Sequence, residues 1–288
     1  MTHTQIYFPN LHIFLENVGK NITIGNFTIA FYGIVIALGM LLGGSLVLKM
    51  AKRGGKDEDA YLDVIIFTVI FAVIGARIYY VIFAWDYYKD DLLSIFNLRQ
   101  GGLAIYGGIL GGIITAYIVT KIKKIPFLEF ADYGILGVPA GQILGRFGNF
   151  FNREAFGQYT DGLFAMLIPT DAVRSTSDIT EEMWNHVVVI DGVKYISVHP
   201  TFLYEALWNV GVLILLLVLI KRKKYNGEIF FTYLLAYGVG RFWIESLRTD
   251  QLMLPNSSIP VSMVVAAVLV IISVGFHLIQ LRRMKKIR

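Results

Sequence analysis

Arg77, Arg146 and Arg241 lie within or at the ends of apolar stretches, where a charged side chain is expensive. An arginine near a bilayer centre costs about 2.5–3.5 kcal/mol on insertion scales, and less near an interface. Two readings account for them. They can snorkel or pair with Glu205 and Glu245, or they can form an anion site. Convergence of three arginines with glycines and asparagines favours the second. A guanidinium offers a planar fork of donors that matches phosphate oxygens, and it stays charged in a dehydrated setting. Two of them from separate helices could hold one phosphodiester and stabilise charge developing on a phosphate leaving group.

The richest stretch is "GRFGNFFNREAFG", Gly145 to Gly157. Its glycines suit an irregular turn that lets backbone approach a ligand. Such backbone is tolerated at membrane depth where protein buries it or it lines a cavity. Asn149, Asn152 and Glu154 would then supply fixed donors and acceptors. In "YGGILGG" the pairs Gly107/Gly111 and Gly108/Gly112 read as close helix packing. Tyr106 beside them is either an interfacial tyrosine or an acid–base group. "HPTFLYE" brings His199, Tyr204 and Glu205 to the start of a span, with Pro200 suited to a first turn. Glu205 lies one turn beyond Thr201 and is a plausible partner for an arginine.

The elements that must carry these residues are membrane helices. The 288 residues are 56% hydrophobic and only 16% charged, with a mean hydropathy of +0.60. Soluble domains carry about 25% charged residues. Seven stretches approach the roughly 20 residues a spanning helix needs: Phe27–Leu48, Val64–Phe83, Leu103–Thr120, Phe127–Leu144, Phe202–Ile220, Ile229–Ile244 and Pro260–Leu281. The fourth is interrupted by Glu129, Asp132, Pro139 and Gln142, and the sixth is short and runs into Arg241. The expected fold class is an all-α polytopic membrane protein of about seven transmembrane helices. It is read as one integral membrane domain over 1–288, with an external cap at 149–198.

Within that cap, "VVVIDGVKYISV" reads as a β-hairpin turning at Asp191-Gly192. "NLHIFLENVGK" (Asn10–Lys20) has helical apolar spacing and reads as an interfacial or surface helix. A secretory signal peptide is not expected, because Glu16 and Lys20 precede the first span without a long apolar core.

Basic residues orient the bundle. Sixteen Lys and Arg fall in the segments 49–56, 121–124, 221–224 and 282–288, against seven on the opposite side. The N-terminus is therefore expected outside and the C-terminus in the cytoplasm. With that orientation Tyr32, Arg77, Tyr106, Arg146, His199, Tyr204, Glu205, Arg241, Glu245 and Arg248 all point to the outer face. The abundant anion there is a phospholipid headgroup. The sequence pI near 9.2 is then an orientation and lipid-surface signal, with no basic–aromatic patch for nucleic acid. Cysteine is absent, which removes disulfides, a cysteine nucleophile and thiolate metal sites. The five histidines have no metal-ligand spacing. No cofactor or metal is expected.

"GRFGNFFNREAFG" resembles the signature of the prolipoprotein diacylglyceryl transferases. "IAFYGIVIALG" with Tyr32, "IGARIYYV" with Arg77, "GGLAIYGG", "HPTFLYE" and "GRFWIESLR" follow in the same order. The resemblance covers nearly the whole chain. It implies an enzyme of the bacterial plasma membrane that moves a diacylglyceryl group from phosphatidylglycerol to the lipobox cysteine thiol of a prolipoprotein. A thioether forms and glycerol phosphate leaves.

It also implies Arg146 and Arg241 as the key arginines, and Asn149, Glu154 and Gly157 as further functional positions. Tyr32, Arg77, His199, Tyr204, Glu205 and Glu245 complete the substrate-binding candidates. Many members have histidine where this chain has Tyr106. A tyrosine with a pKa of about 10 is a poor base. Either Tyr106 is a hydrogen-bond donor, or loss of the thiol proton relies on the arginine-rich field; the second reading is favoured and the base stays open. Rival classes are an anionic phospholipid transporter or flippase, and a non-catalytic assembly or receptor protein. Clustering of the polar residues on one side, without an inverted repeat, speaks against transport.

Overall fold

A computed structural model describes residues 3–98 and 101–287. Arg99 and Arg288, two of the residues in the basic balance, lie outside them. The elements in chain order are β1 (Ile6–Phe8), β2 (Ile13–Leu15), β3 (Asn21–Ile24), β4 (Phe27–Ala30), α1 (Phe31–Arg53), α2 (Glu58–Phe83), α3 (Ile105–Ile122), α4 (Phe127–Gly134), α5 (Gly137–Asn152), β5 (Met166–Pro169), α6 (Glu181–Asn185), β6 (Val188–Ile190), β7 (Val193–Val198), α7 (Thr201–Leu219), α8 (Glu228–Glu245) and α9 (Val261–Ile287). Among the described residues, five helical segments are long and apolar enough to cross a membrane: Phe31–Arg53, Glu58–Phe83, Ile105–Ile122, Thr201–Arg222 and Val261–Lys286. The chain divides into two compact units, residues 1–43 with 135–288, and residues 44–134.

In the first unit, five strands form a sheet in the order β2-β1-β5-β7-β6. The β6–β7 hairpin turns at Asp191 and Gly192, both at positive φ, as the sequence predicts. One face of the sheet buries Ile6, Phe8, Met166, Ile168, Ile196 and Val198 with Phe156, Met183 and Phe202. The segment Asn10–Lys20 is not a helix. Pro9–Leu11 is a short 3-10 turn closed by His12 in the left-handed region at φ 54°, and Ile13–Leu15 is a strand. Its apolar residues flank β1, which pairs with β2 and joins β5 through Tyr7 and Leu167. Sheet pairing thus overrides the local helical spacing.

The first apolar stretch also begins differently from its hydropathy. Phe27–Ala30 is strand β4, and the helix starts at Phe31. The stretch Phe127–Leu144 is two helices, broken at Ile135-Leu136. Gly134 and Gly137 flank the break, and Pro139 sits in the first turn of α5, where its missing N–H leaves no bond unmade.

Helix α5 reaches the first part of α1 through facing glycines. A Cβ on Gly39 would lie 3.0 Å from the Gly141 carbonyl oxygen, and one on Gly43 would lie 2.6 Å from that of Gly137. Only glycine permits backbones this close.

The second unit is built on α2 and α3, also joined through glycine. A Cβ on Gly75 would lie 2.6 Å from the Gly107 oxygen, and one on Gly111 would lie 2.6 Å from the Phe71 oxygen. The packing role read for "YGGILGG" holds, and its partner is the glycine of "IGAR". At one end, Lys56–Glu129 (2.9 Å) and Lys123–Asp63 tie the helix connections. At the other, the Arg77 side chain donates five hydrogen bonds to backbone carbonyls. Nε bonds to Ile95 (2.7 Å), Nη1 to Gly101 (2.8 Å) and Gly102 (2.9 Å), and Nη2 to Ser94 (2.9 Å) and Asn97 (3.3 Å). Its guanidinium also lies 5.1 Å from the Tyr88 ring centroid. Tyr106 opens α3 and is 44% exposed.

Candidate functional site

Three helices of the first unit deliver a chain of alternating charges. Arg146 is on α5, Glu205 on the first turns of α7, and Arg241 and Glu245 on the last turns of α8. Arg146 Nη2 lies 2.6 Å from Glu205 Oε2, and Arg241 Nη1 lies 3.5 Å from Glu205 Oε1. Arg241 Nη2 in turn lies 2.6 Å from Glu245 Oε2, one helical turn away. The carboxylates are the more buried partners, 7% and 3% exposed, while Arg241 and Arg146 are 15% and 21% exposed. Arg248 extends the chain, 3.9 Å from Glu245 and bidentate to Asp250 at 2.9 and 2.7 Å.

Water is largely excluded here, so each charge must be compensated by a neighbour. The pairing read for Glu205 and Glu245 is therefore present. It holds both guanidiniums in place, and Arg241 borders a small cleft. That cleft is lined by Glu205, Trp208, Asn209, Tyr237, Gly240, Arg241 and Ile244. Asn209 donates to the Glu205 carbonyl at 2.9 Å, and Trp208 Nε1 to the Ala236 carbonyl at 3.0 Å.

A second cluster forms where α5 ends. Glu154 Oε1 accepts from Asn149 Nδ2 (3.0 Å) and Asn152 Nδ2 (3.2 Å), and Oε2 pairs with Arg174. The glycines of the signature do not make the irregular turn. Gly145 and Gly148 are inside α5, and the chain turns at Arg153 (φ 53°) and Ala155 (φ 56°). Such φ values in non-glycine residues persist only where the surroundings over-determine them. Here Arg153 is buried and donates to the carbonyls of Phe151, Thr4 and Val18, while Thr201 Oγ1 donates to the Ala155 carbonyl. Burial, then the neighbouring Arg153 and Arg174 cations, push the Lys20 ammonium below its ordinary pKa.

The glycines serve close approach instead. A Cβ on Gly148 would lie 2.6 Å from the Tyr32 ring, and one on Gly157 would lie 2.7 Å from His199 Cβ. Gly157 donates to the His199 carbonyl at 2.9 Å, and His199 Nδ1 lies 3.1 Å from the Tyr204 hydroxyl. Burial lowers the His199 pKa below its usual 6.5, which leaves the ring neutral at pH 7.

The structure thus joins Arg146, Arg241, Glu205 and Glu245 in one chain, Asn149 with Glu154, and Gly157, His199 and Tyr204 in a third group. Tyr32 packs on α5 at Gly148. Arg77 and Tyr106 belong to the other unit, and Arg77 is occupied by backbone carbonyls. Sequence reasoning passed over Trp208, Asn209, Tyr237 and Arg174. The first three were within reach, because they lie three or four residues from Glu205 or Arg241 on the same helix face. Arg174 arrives from a loop after β5, and no local pattern points to it.

A sequence model of the family described as prolipoprotein diacylglyceryl transferase matches residues 20–279. The chain belongs to this family. The phosphatidylglycerol–prolipoprotein diacylglyceryl transferase of Clostridioides difficile is 47% identical over 232 residues, 81% of this chain and 84% of the relative. Those of Bacillus cytotoxicus and Bacillus cereus are each 41% identical over 259 residues, 90% of both chains. The transferase reading gains this support, and the transporter reading gains none.

Proposed function

We propose that this protein transfers the diacylglyceryl group of phosphatidylglycerol to the lipobox cysteine thiol of a prolipoprotein. The observation that carries the proposal is the buried chain Arg146–Glu205–Arg241–Glu245, fixed by three helices beside a cleft, in a chain of this family. The substrate cysteine gives up its S–H proton to solvent and attacks as the thiolate at the terminal glyceryl carbon of the diacylglyceryl group. An S–C bond forms, the C–O bond to phosphate breaks, and glycerol phosphate leaves with its new charge held by Arg146 and Arg241. Because the carboxylates already orient these guanidiniums, little reorganisation is needed as charge develops. Asn149, Glu154, His199, Tyr204, Gly157 and Tyr32 shape the headgroup side of the site.

Tyr106 stands where many members of the family have histidine, and the base for the thiol stays open between a donor role for this tyrosine and the electrostatics of the arginines. Arg77 is assigned to building its own loop, since carbonyls take its donors. Helices α5 and α8, less apolar because they carry the site, bring the membrane segments to seven with the five others. The whole is one integral domain in the bacterial plasma membrane, N-terminus outside and C-terminus cytoplasmic. Residues 149–198 contribute an external cap and the site faces the outer leaflet. The basic balance of the loops supports this orientation.

The test is incubation of the purified protein in lipid with phosphatidylglycerol and a lipobox peptide, followed by mass spectrometry. Gain of one diacylglyceryl unit on cysteine, absent from a cysteine-to-serine peptide, is expected. No gain from folded protein that still binds lipid would overturn the proposal.

A further inference from the structure

Strands β3 and β4 form a two-stranded ribbon apart from the five-stranded sheet. Its register pairs Asn21 with Ala30, Ile22 with Ile29, Thr23 with Thr28, and Ile24 with Phe27. Residues opposite each other share a face, and faces alternate along a strand. One face is therefore Ile22, Ile24, Phe27 and Ile29, without a polar side chain. The other carries Asn21, Thr23 and Thr28, with the two threonine hydroxyls 3.2 Å apart. The apolar face is open, with Ile22 at 42% and Ile24 at 66% exposure. An isolated hairpin is marginal in water at best, and the exposed Ile22 and Ile24 add to the need for a cover.

What covers it is indicated by where the ribbon stands. Its base closes through the Phe31 N–H to the Lys20 carbonyl at 3.0 Å, and it runs without a linker into α1. That helix is long and apolar enough to span a bilayer. No acidic or basic residue occurs from Asn21 to Leu48, and Lys20 marks the foot of the ribbon. From Asn21 to the lipid-length helix, therefore, no charged side chain intervenes. Amphipathic elements of this kind lie in the headgroup–acyl boundary.

We propose that the β3–β4 ribbon seats its Ile22/Ile24 face in the bilayer interface, fixing the depth at which α1 presents Tyr32. The inference rests on α1 crossing the membrane, but not on the transfer chemistry.

The chain contains no cysteine, so single introduced thiols can be labelled cleanly. Ile22→Cys, Ile24→Cys, Thr23→Cys and Leu41→Cys, the last on the lipid-length part of α1, are each given an environment-sensitive fluorophore in full-length protein. The samples are bilayer nanodiscs containing phosphatidylglycerol. Quenching by nitroxide-bearing lipid and by aqueous iodide is then compared. Labels at 22 and 24 are expected to be quenched several-fold more by lipid nitroxide than the label at 23, with iodide showing the reverse order. Iodide access at 24 equal to that at 23, with Leu41 reporting lipid, overturns the seat while keeping the span. Shielding from both quenchers means a protein cover, a second copy or an apolar peptide, and also overturns it. A label at Leu41 that reports water removes the premise itself.

Discussion

Glu205 Oε2 lies 2.6 Å from Arg146 Nη2, joining α7 to α5 through side chains only 7% and 21% exposed. The pair makes Arg146 a fixed donor whose position does not depend on lipid. Replacing Arg146 with Ala is expected to lower kcat for diacylglyceryl transfer by about 10²–10³, the range seen when one transition-state donor is removed. Membrane insertion should persist. Turnover of labelled phosphatidylglycerol with a lipobox peptide checks this, and full activity in a folded Arg146→Ala protein would remove Arg146 from the mechanism.

Arg174 bears on the same chemistry at one remove, because it holds the carboxylate that the Asn149 and Asn152 amides share. Arg174→Ala should lower kcat/KM about tenfold, the equivalent of roughly 1.4 kcal/mol. Arg174→Lys should recover part of that loss as a point-charge partner. Steady-state kinetics on both variants decide the matter. A purely structural arginine would instead show reduced thermal stability with unchanged kcat/KM in the surviving protein.

Gly157→Ala places a Cβ 2.7 Å from His199 Cβ and 3.0 Å from the Leu247 carbonyl oxygen. Neither neighbour is a flexible tip, so backbone has to move. A destabilisation of about 1–3 kcal/mol is expected, as for overpacking elsewhere. It should appear as a lower thermal midpoint together with lost activity. The contact alternative is Gly211→Ala, where a Cβ meets nothing within 4 Å, and that variant should be near neutral.

His199 gives a pH dependence with a definite sign. Its folded pKa is lowered by burial, so the unfolded chain binds the proton more readily. The stabilisation is complete above the ordinary value near 6.5 and is lost as pH falls through the lowered folded value. Thermal midpoints measured from pH 7.5 downward should fall more for the wild type than for His199→Gln. Parallel slopes would show that the ring does not titrate in this window.

Much of the site was legible because membrane solvent makes polar residues conspicuous. Arg146, Glu205, Arg241 and Glu245 stand out against apolar neighbours, and Glu205 and Glu245 read from the sequence as partners for the arginines. The β6–β7 hairpin was legible because Asp191-Gly192 supplies the required positive φ locally. What escaped was set by distant pairing. Ile13–Leu15 is a strand because β1 lies beside it, and its own apolar spacing points the other way. Arg77 reads with the anion-binding arginines because residue type does not reveal that the carbonyls of Ser94, Ile95, Asn97, Gly101 and Gly102 take its donors. The turn after α5 falls on Arg153 and Ala155 for the same reason, held by contacts to Thr4, Val18 and Thr201.

The Arg146–Glu205 pair also bears on biogenesis. Arg241 and Glu245 sit one turn apart on α8 and can enter a membrane already neutralised. Arg146 and Glu205 cannot, because α5 is synthesised first and its partner arrives only after the whole β5–β7 sheet segment has been made. Until then α5 carries an unbalanced cation and is a poor candidate for stable residence in lipid. Its final placement is therefore coupled to the arrival of α7. A chain stalled between the two helices would expose α5 to membrane quality control.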